Sequence, residues 1–371
     1  MNRLPAFLAL VTALLALGAC GRSQVAAPAP PTVLTNLLVQ PEQADEIDYR
    51  ILWQTSLATP PRNQILYAEL LGDRLATFET NHILSVVNIK NGTILWRRQI
   101  GKRTERFSRP VRAADNRLVI CSASRGYVYD IDTGELLNVF TLAHASGTSP
   151  LISGNFVVHG SPGGLIWAQD LNAGLVRWEH QLGSGISSSP IMSGASMLVT
   201  DEKGTAATFN PLTGVVLWRA YTWAPISARP AVSNLLIYVA SHDQTLYAYD
   251  RNSGRTRWRW YADVDLEHTP VVFEELLFQA HSRKGVVVLD AFTGEPKWTM
   301  PFRDATPLMV KGNFLFIHRP GTLLALSRSE GDLVKKIDLP QVDHIFTDNP
   351  KGGDLYLLRH NGSIMKMQPQ G

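Results

Sequence analysis

The sequence predicts an all-β chain that closes into an eight-bladed β-propeller of four-stranded units. A turn-and-strand motif recurs about every forty residues. Prolines recur in phase with it. A lone strand near the start of the chain supplies the piece that the last, incomplete unit lacks.

The repeated motif is clearest in LDAFTGEPKW (289–298) and YDRNSGRTRW (249–258), with earlier copies VNIKNGTILW, YDIDTGELLNV, QDLNAGLVRW and FNPLTGVVLW. A worn copy, LSRSEGDLVKK, follows at 326–336. Its glycines are Gly92, Gly134, Gly174, Gly214, Gly254, Gly294 and Gly331, in steps of 42, 40, 40, 40, 40 and 37. Pro110, Pro150, Pro190, Pro230, Pro270, Pro307 and Pro350 keep the same phase. A fixed period of this size marks an array of one supersecondary unit.

From the N-terminus, MNRLPAFLALVTALLALGAC carries Arg3, an apolar stretch and small residues before Cys20. This pattern is a secretory signal, residues 1–19, too short for a stable membrane span. Residues 20–46 follow as a tether rich in Pro, Ala and Gln without periodicity, expected to be semi-extended. The propeller is expected over 47–371. YRILWQTSL (49–57) has the outer-strand context of the motif, with Trp53 in the Trp position, but no preceding three strands.

Each full unit reads as four short strands. In 189–219, SPIMS, ASMLVT, TAATFN and VVLWRA are runs of β-formers separated by turn residues, the expected strand signal. No stretch after the signal sustains a helical period for three turns. The motif's Asp accepts hydrogen bonds from its own turn, and the Gly supplies a positive φ. The Trp, four residues later, is placed to cover the next blade's turn. Trp96, Trp178, Trp218, Trp258 and Trp298 hold this position; Asn138 and Lys335 replace it, so two blade junctions are expected to be weaker. Seven units end near residue 338. The stretch 349–367 supplies three more strands, so the strand at 49–57 completes an eighth blade and removes an exposed edge.

Composition agrees. Charged residues are 18% and the formal net charge is +3, too balanced to indicate nucleic-acid binding on charge alone. An array also avoids the size limit of one hydrophobic core. Besides Cys20 there is only Cys121, so the propeller has no internal disulfide. Cys121 is expected to be a buried small hydrophobe.

The repeated D-x-x-T-G-x-x-x-W pattern resembles the pyrroloquinoline-quinone-type (PQQ-like) propeller repeat over nearly all of 49–367. Two functional classes share it: quinoprotein dehydrogenases, and non-enzymatic BamB-like outer-membrane assembly lipoproteins. The run Leu17-Gly18-Ala19-Cys20 resembles a bacterial lipobox, which implies removal of the signal and acylation (palmitate) of Cys20. Gly21 in place of Asp implies sorting to the outer membrane, on its periplasmic side. The BamB-like resemblance implies an anchored protein-interaction scaffold, with no cofactor, no metal and no catalytic residue, whose partner is the barrel-assembly machinery or another periplasmic protein. The alternative is a small quinoprotein dehydrogenase or ligand-binding propeller. Many of that class carry a cysteine pair over the quinone, and they need a Ca²⁺ site of converging oxygens. This chain lacks the pair, and Asp130, Asp170, Asp250 and Asp290 belong to turns.

The candidate docking face is the one that carries the second-to-third-strand turns and the loops entering strand one. His82, His159, His242, His281, His318 and His360 fall at or near those turns. Arg283, Lys284, Arg319 and Arg359 form a basic arc on three consecutive blades, with Arg109 and Arg229 entering strand one on the same face. The alternative is that exposed turns simply collect polar residues. As a hypothesis, the arc docks an acidic partner, strengthened by histidine protonation. The BamB-like resemblance points also to WRAYTWAPISARP (218–230), with Trp223, Ile226 and Arg229, although the Leu-Ser-Leu-Arg contact segment of that family is missing.

Overall fold

The computed structural model describes residues 36–186, 188–302 and 304–370. The signal and Cys20 lie outside the described residues. The described chain forms eight four-stranded antiparallel sheets. Seven are consecutive in sequence: 65–99, 111–141, 151–181, 191–221, 231–261, 271–300 and 306–338. They are numbered blades 1 to 7, with strands A to D in order. Blade 8 takes A, B and C from His344–Thr347, Leu355–Leu358 and Ser363–Pro369, and D from Tyr49–Ser56. Tyr49 pairs with Pro369 and Ser56 with Ser363. The expected closure is therefore observed.

The A strands of neighbouring blades approach one another and surround the axis. B and C strands are buried almost throughout, whereas D strands alternate at the outer edge. The core divides into eight hydrophobic clusters, one at each junction. The cluster that seals the ring packs Leu75 and Val87 of blade 1 against Tyr356 and Ile364 of blade 8.

The repeated motif acts as a junction clamp. Gly214 has φ of 73°, a conformation costly for residues with a Cβ. A Cβ there would also lie 2.5 Å from the ring of Trp178 in the preceding blade. Trp178 Nε1 donates to Pro211 O at 3.0 Å. The same bond joins Trp53 to Ile89, Trp96 to Ile131, Trp218 to Arg251 and Trp258 to Ala291. Trp298 covers Gly331 of the worn copy, but its buried Nε1 finds no partner. Asn138 lacks the ring and keeps the hydrogen bonds, donating to Leu171 O at 2.9 Å and Asn172 O at 3.2 Å. Lys335 donates to Glu46 O, because blade 8 has the chain's N-terminal segment where other blades have the turn. The turn carboxylates behave as expected: Asp250 Oδ1 accepts from the N–H groups of Asn252 and Ser253 at 3.2 and 2.9 Å.

Two boundaries differ from the sequence reading. Residues 36–46, assigned to the tether, are packed. Leu38, Val39 and Ala44 are buried against blades 7 and 8, and Pro41–Asp45 forms a short helix whose Gln43 side chain donates to Asp338 O. Apolar burial fixes this segment. Pro350 also does not open a strand: it follows His344–Thr347 and lies in the A–B turn of blade 8. Cys121 is buried, and burial pushes its thiol pKa well up.

Candidate docking face

B–C turns and D–A loops do share one face. The loop leaving blade 4 hydrogen-bonds the turn of blade 5 through Trp223 N–H and Asp243 Oδ2, 2.8 Å apart. The loop leaving blade 5 meets the turn of blade 6 through Asp263 and Arg283, at 2.9 Å.

Arg283, Lys284, Arg319 and Arg359 all lie on this face, on blades 6, 7 and 8. Two of the four charges are paired locally. Arg283 is paired with Asp263. Arg319 is paired with Asp304 at 2.9 Å and stacks over Phe302. Arg359 donates to Gln341 at 3.3 Å. Lys284 is exposed, with no acidic partner among the described residues.

The six histidines do not form one exposed set. His159, His281 and His318 are buried ends of B strands. Burial lowers His159 to about 3. Burial first, then neighbouring His344, lowers His318 to about 4. Both stay neutral near neutral pH and cannot strengthen the face on mild acidification, so that part of the expectation is corrected. His281 caps its turn: Nδ1 accepts from the N–H groups of Arg283 and Lys284, both at 3.2 Å, and Nε2 lies 2.8 Å from Ala262 O. His82, His242 and His360 lie in the turns.

Arg109 and Arg229 belong to the axial channel rather than the arc. Arg109 pairs with Glu69 and lies 5.3 Å from the centre of the Tyr67 ring. It lines a cavity of about 450 Å³ with Glu69, His344 and Phe346. Arg229 comes from blade 5 across the axis. By area it is exposed, yet desolvation lowers its pKa, opposed by Glu69 and assisted by Arg109. The side chain touches solvent, yet protein atoms crowd its guanidinium.

An aromatic sector covers blades 4 and 5. Trp223 is 87% exposed, and Tyr221 and Tyr261 are 64% and 66% exposed. The Trp223 backbone N–H donates to Asp243 Oδ2 and fixes the main chain from which the exposed ring projects. Tyr261 OH bonds Gln244 Oε1 at 2.7 Å. Both residues therefore bracket the turn 242–244. Asp243 is fixed in turn by Tyr247 OH at 2.6 Å. Ile226, the third residue singled out in this loop, is buried and anchors it.

The sequence reading missed a basic sector over blades 1 and 2. Residues 97–112 contain seven Arg or Lys and one acid, Glu105, a charge run that was visible without coordinates. Among the described residues, no group of three or more His, Cys, Asp or Glu converges as a metal site.

The fold is that of a PQQ-type propeller. The family model for outer membrane protein assembly factor BamB matches residues 42–180 and 124–337, and the chain belongs to that family. Among solved structures, BamB from Moraxella catarrhalis is similar with a TM-score of 0.69 at 19% identity, covering 86% of this chain and 97% of that one. The computationally designed Ika8 protein is similar with a TM-score of 0.65 at 18% identity, covering 84% and 98%. At such identity these two likenesses speak for the fold. Comparison with curated protein sequences gives no match.

Proposed function

We propose that this chain is a non-enzymatic, lipid-anchored scaffold on the periplasmic side of the outer membrane, which binds a protein partner in outer-membrane protein assembly. Family membership supports the setting. The observation that carries the binding role is the aromatic sector: a Trp at 87% exposure, held by a backbone hydrogen bond, has the form of an interface anchor. Trp, Tyr and Arg dominate binding hot spots because they bury large areas at low entropic cost. The test is Trp223→Ala with Tyr261→Ala, assayed for binding to the purified barrel-assembly subunit of the same envelope. Loss of roughly 30-fold or more in Kd, the size of a hot spot, is expected at an unchanged melting temperature. Unaltered affinity overturns the assignment of this sector.

The anchor is Cys20, tested by palmitate labelling: Cys20→Ser abolishes incorporation, and continued labelling refutes the lipobox reading. The enzymatic alternative is tested by adding the quinone and Ca²⁺ and assaying dye reduction with alcohols and sugars. No turnover is expected.

A further inference from the structure

We propose that the loop face carries a second docking sector, over blades 1 and 2, which receives an acidic, extended polypeptide segment. This rests on the reading of the chain as a protein-binding propeller.

The sector is built by the D–A loop 100–109 and the B–C turn of blade 2. Lys102, Arg103, Arg106 and Arg125 are all exposed, and none has a salt-bridge partner among the described residues. Glu105, the one acid of the loop, offsets part of this charge, with Arg125 its cationic neighbour, and also holds the loop down. It accepts from Lys102 N–H at 2.7 Å, Ser122 OH at 3.2 Å and Tyr127 OH at 3.0 Å. Ser108 N–H bonds Cys121 O and buried Phe107 bridges Ser122. The four cations therefore sit on a fixed platform with Glu105 as the loop's one acid, a net excess of positive charge. Arg62, exposed on the preceding D–A loop, extends the sector; residues 57–64 contain no acid.

The opposite sector settles what kind of anion fits. The D–A loop leaving blade 5 exposes Asp263, Asp265 and Glu267, and Asp243 stands beside it. Asp263 is paired with Arg283, but Asp243, Asp265 and Glu267 have no Lys or Arg salt bridge among the described residues, so the face is positive over blades 1 and 2 and carries acid beside blades 5 and 6. A flat anionic bilayer laid on it would meet both and be repelled by one. A narrow chain with spaced carboxylates reaches the cations alone. Clustered Arg and Lys recognise acidic segments by charge-assisted hydrogen bonds. The aromatic sector lies on the same face, so one partner can occupy both.

The probe is fluorescein-labelled poly-L-glutamate, followed by anisotropy at low ionic strength. The variant carries Lys102→Ser, Arg103→Ser, Arg106→Ser and Arg125→Ser. A control with the same loss of charge, away from blades 8, 1 and 2, carries Arg283→Ser, Lys284→Ser and Arg319→Ser with Arg255→Ser, an exposed residue immediately before the last strand of blade 5. The first is expected to weaken binding about tenfold or more, and the control less than about threefold, since paired and distant charges contribute little. Trp223→Ala should leave this binding unchanged, which separates failure here from failure of the aromatic anchor. Equal weakening by the two quadruple variants shows only net charge and overturns the proposal. So does absence of polyglutamate binding, or patch-dependent binding to phosphatidylglycerol vesicles in its place. Unchanged melting temperatures of both variants exclude unfolding as the cause.

Discussion

Trp178 and Asn138 occupy the same position in adjacent blades and show what a single side chain does at a junction. The indole covers a positive-φ glycine and satisfies a carbonyl. The amide only satisfies carbonyls. Trp178→Ala should therefore cost about 3–5 kcal/mol, the range for truncating a buried large aromatic. Asn138→Ala should cost about 1–2 kcal/mol, the range for lost hydrogen bonds. Urea midpoints at pH 7.5 check the order; a larger loss at Asn138 would show that the ring cover contributes little. The turn carboxylate beside these clamps gives a pH signature. Asp250 is lowered to about 2 by the Ser253 hydroxyl, then by Arg257 and by backbone N–H groups. A carboxyl with a depressed folded pKa stabilises above its unfolded value and loses that contribution as pH falls through the folded one. Asp250→Asn retains an acceptor, as Asn210 does naturally in blade 4. Its stability should fall less than the parent's between pH 4 and pH 2; parallel curves refute the assignment.

At the scale of elements, the closing strand was legible because the repeat left one strand missing at the end and one spare at the start. The packing of 36–46 was not. A five-residue helix has no readable period, and Leu37, Leu38 and Val39 stand in a stretch whose Pro and Gln signal a linker. Only the apolar surface of blades 7 and 8 shows why they dock. The two segments should fail differently. Removing 36–46 takes Leu38, Val39 and Ala44 out of the cluster between blades 7 and 8 and should cost about 3–5 kcal/mol from lost apolar burial, while the ring stays monomeric. Removing 36–57 also strips the partner of Ser363–Pro369 and opens an edge, which recruits other chains. Light scattering should report aggregation of the longer deletion only. A monomeric longer deletion with the parent's melting temperature would refute closure by this strand.

For the whole molecule, the repeat made the ring readable, because blade number, junction clamps and the shared loop face all follow from a fixed period. The charge of that face was less readable. Arg283 and Arg319 look free in sequence, and only folding brings Asp263 and Asp304 from other loops to pair with them. The histidines are the same lesson in burial: B-strand ends look like turns, and their side chains face inward. His159 in blade 3 and His318 in blade 7 stand four blades apart and make no common contact, so their effects on a cooperative ring should add. Both are held neutral by burial, at about 3 and about 4, whereas a histidine in the unfolded chain titrates near ~6.5. Between those values the unfolded chain binds protons that the folded chain refuses. Stability is complete above about pH 6.5 and falls as pH drops towards 4, by about 1.4 kcal/mol per pH unit for each histidine well inside the window. His159→Gln with His318→Gln lowers stability at neutral pH through lost packing against Trp167 and its neighbours, but should remove this slope. Urea midpoints at pH 7.5, 5.5 and 4.5 decide it: a variant that loses stability with acid as steeply as the parent would mean that the folded ring already carries the protons.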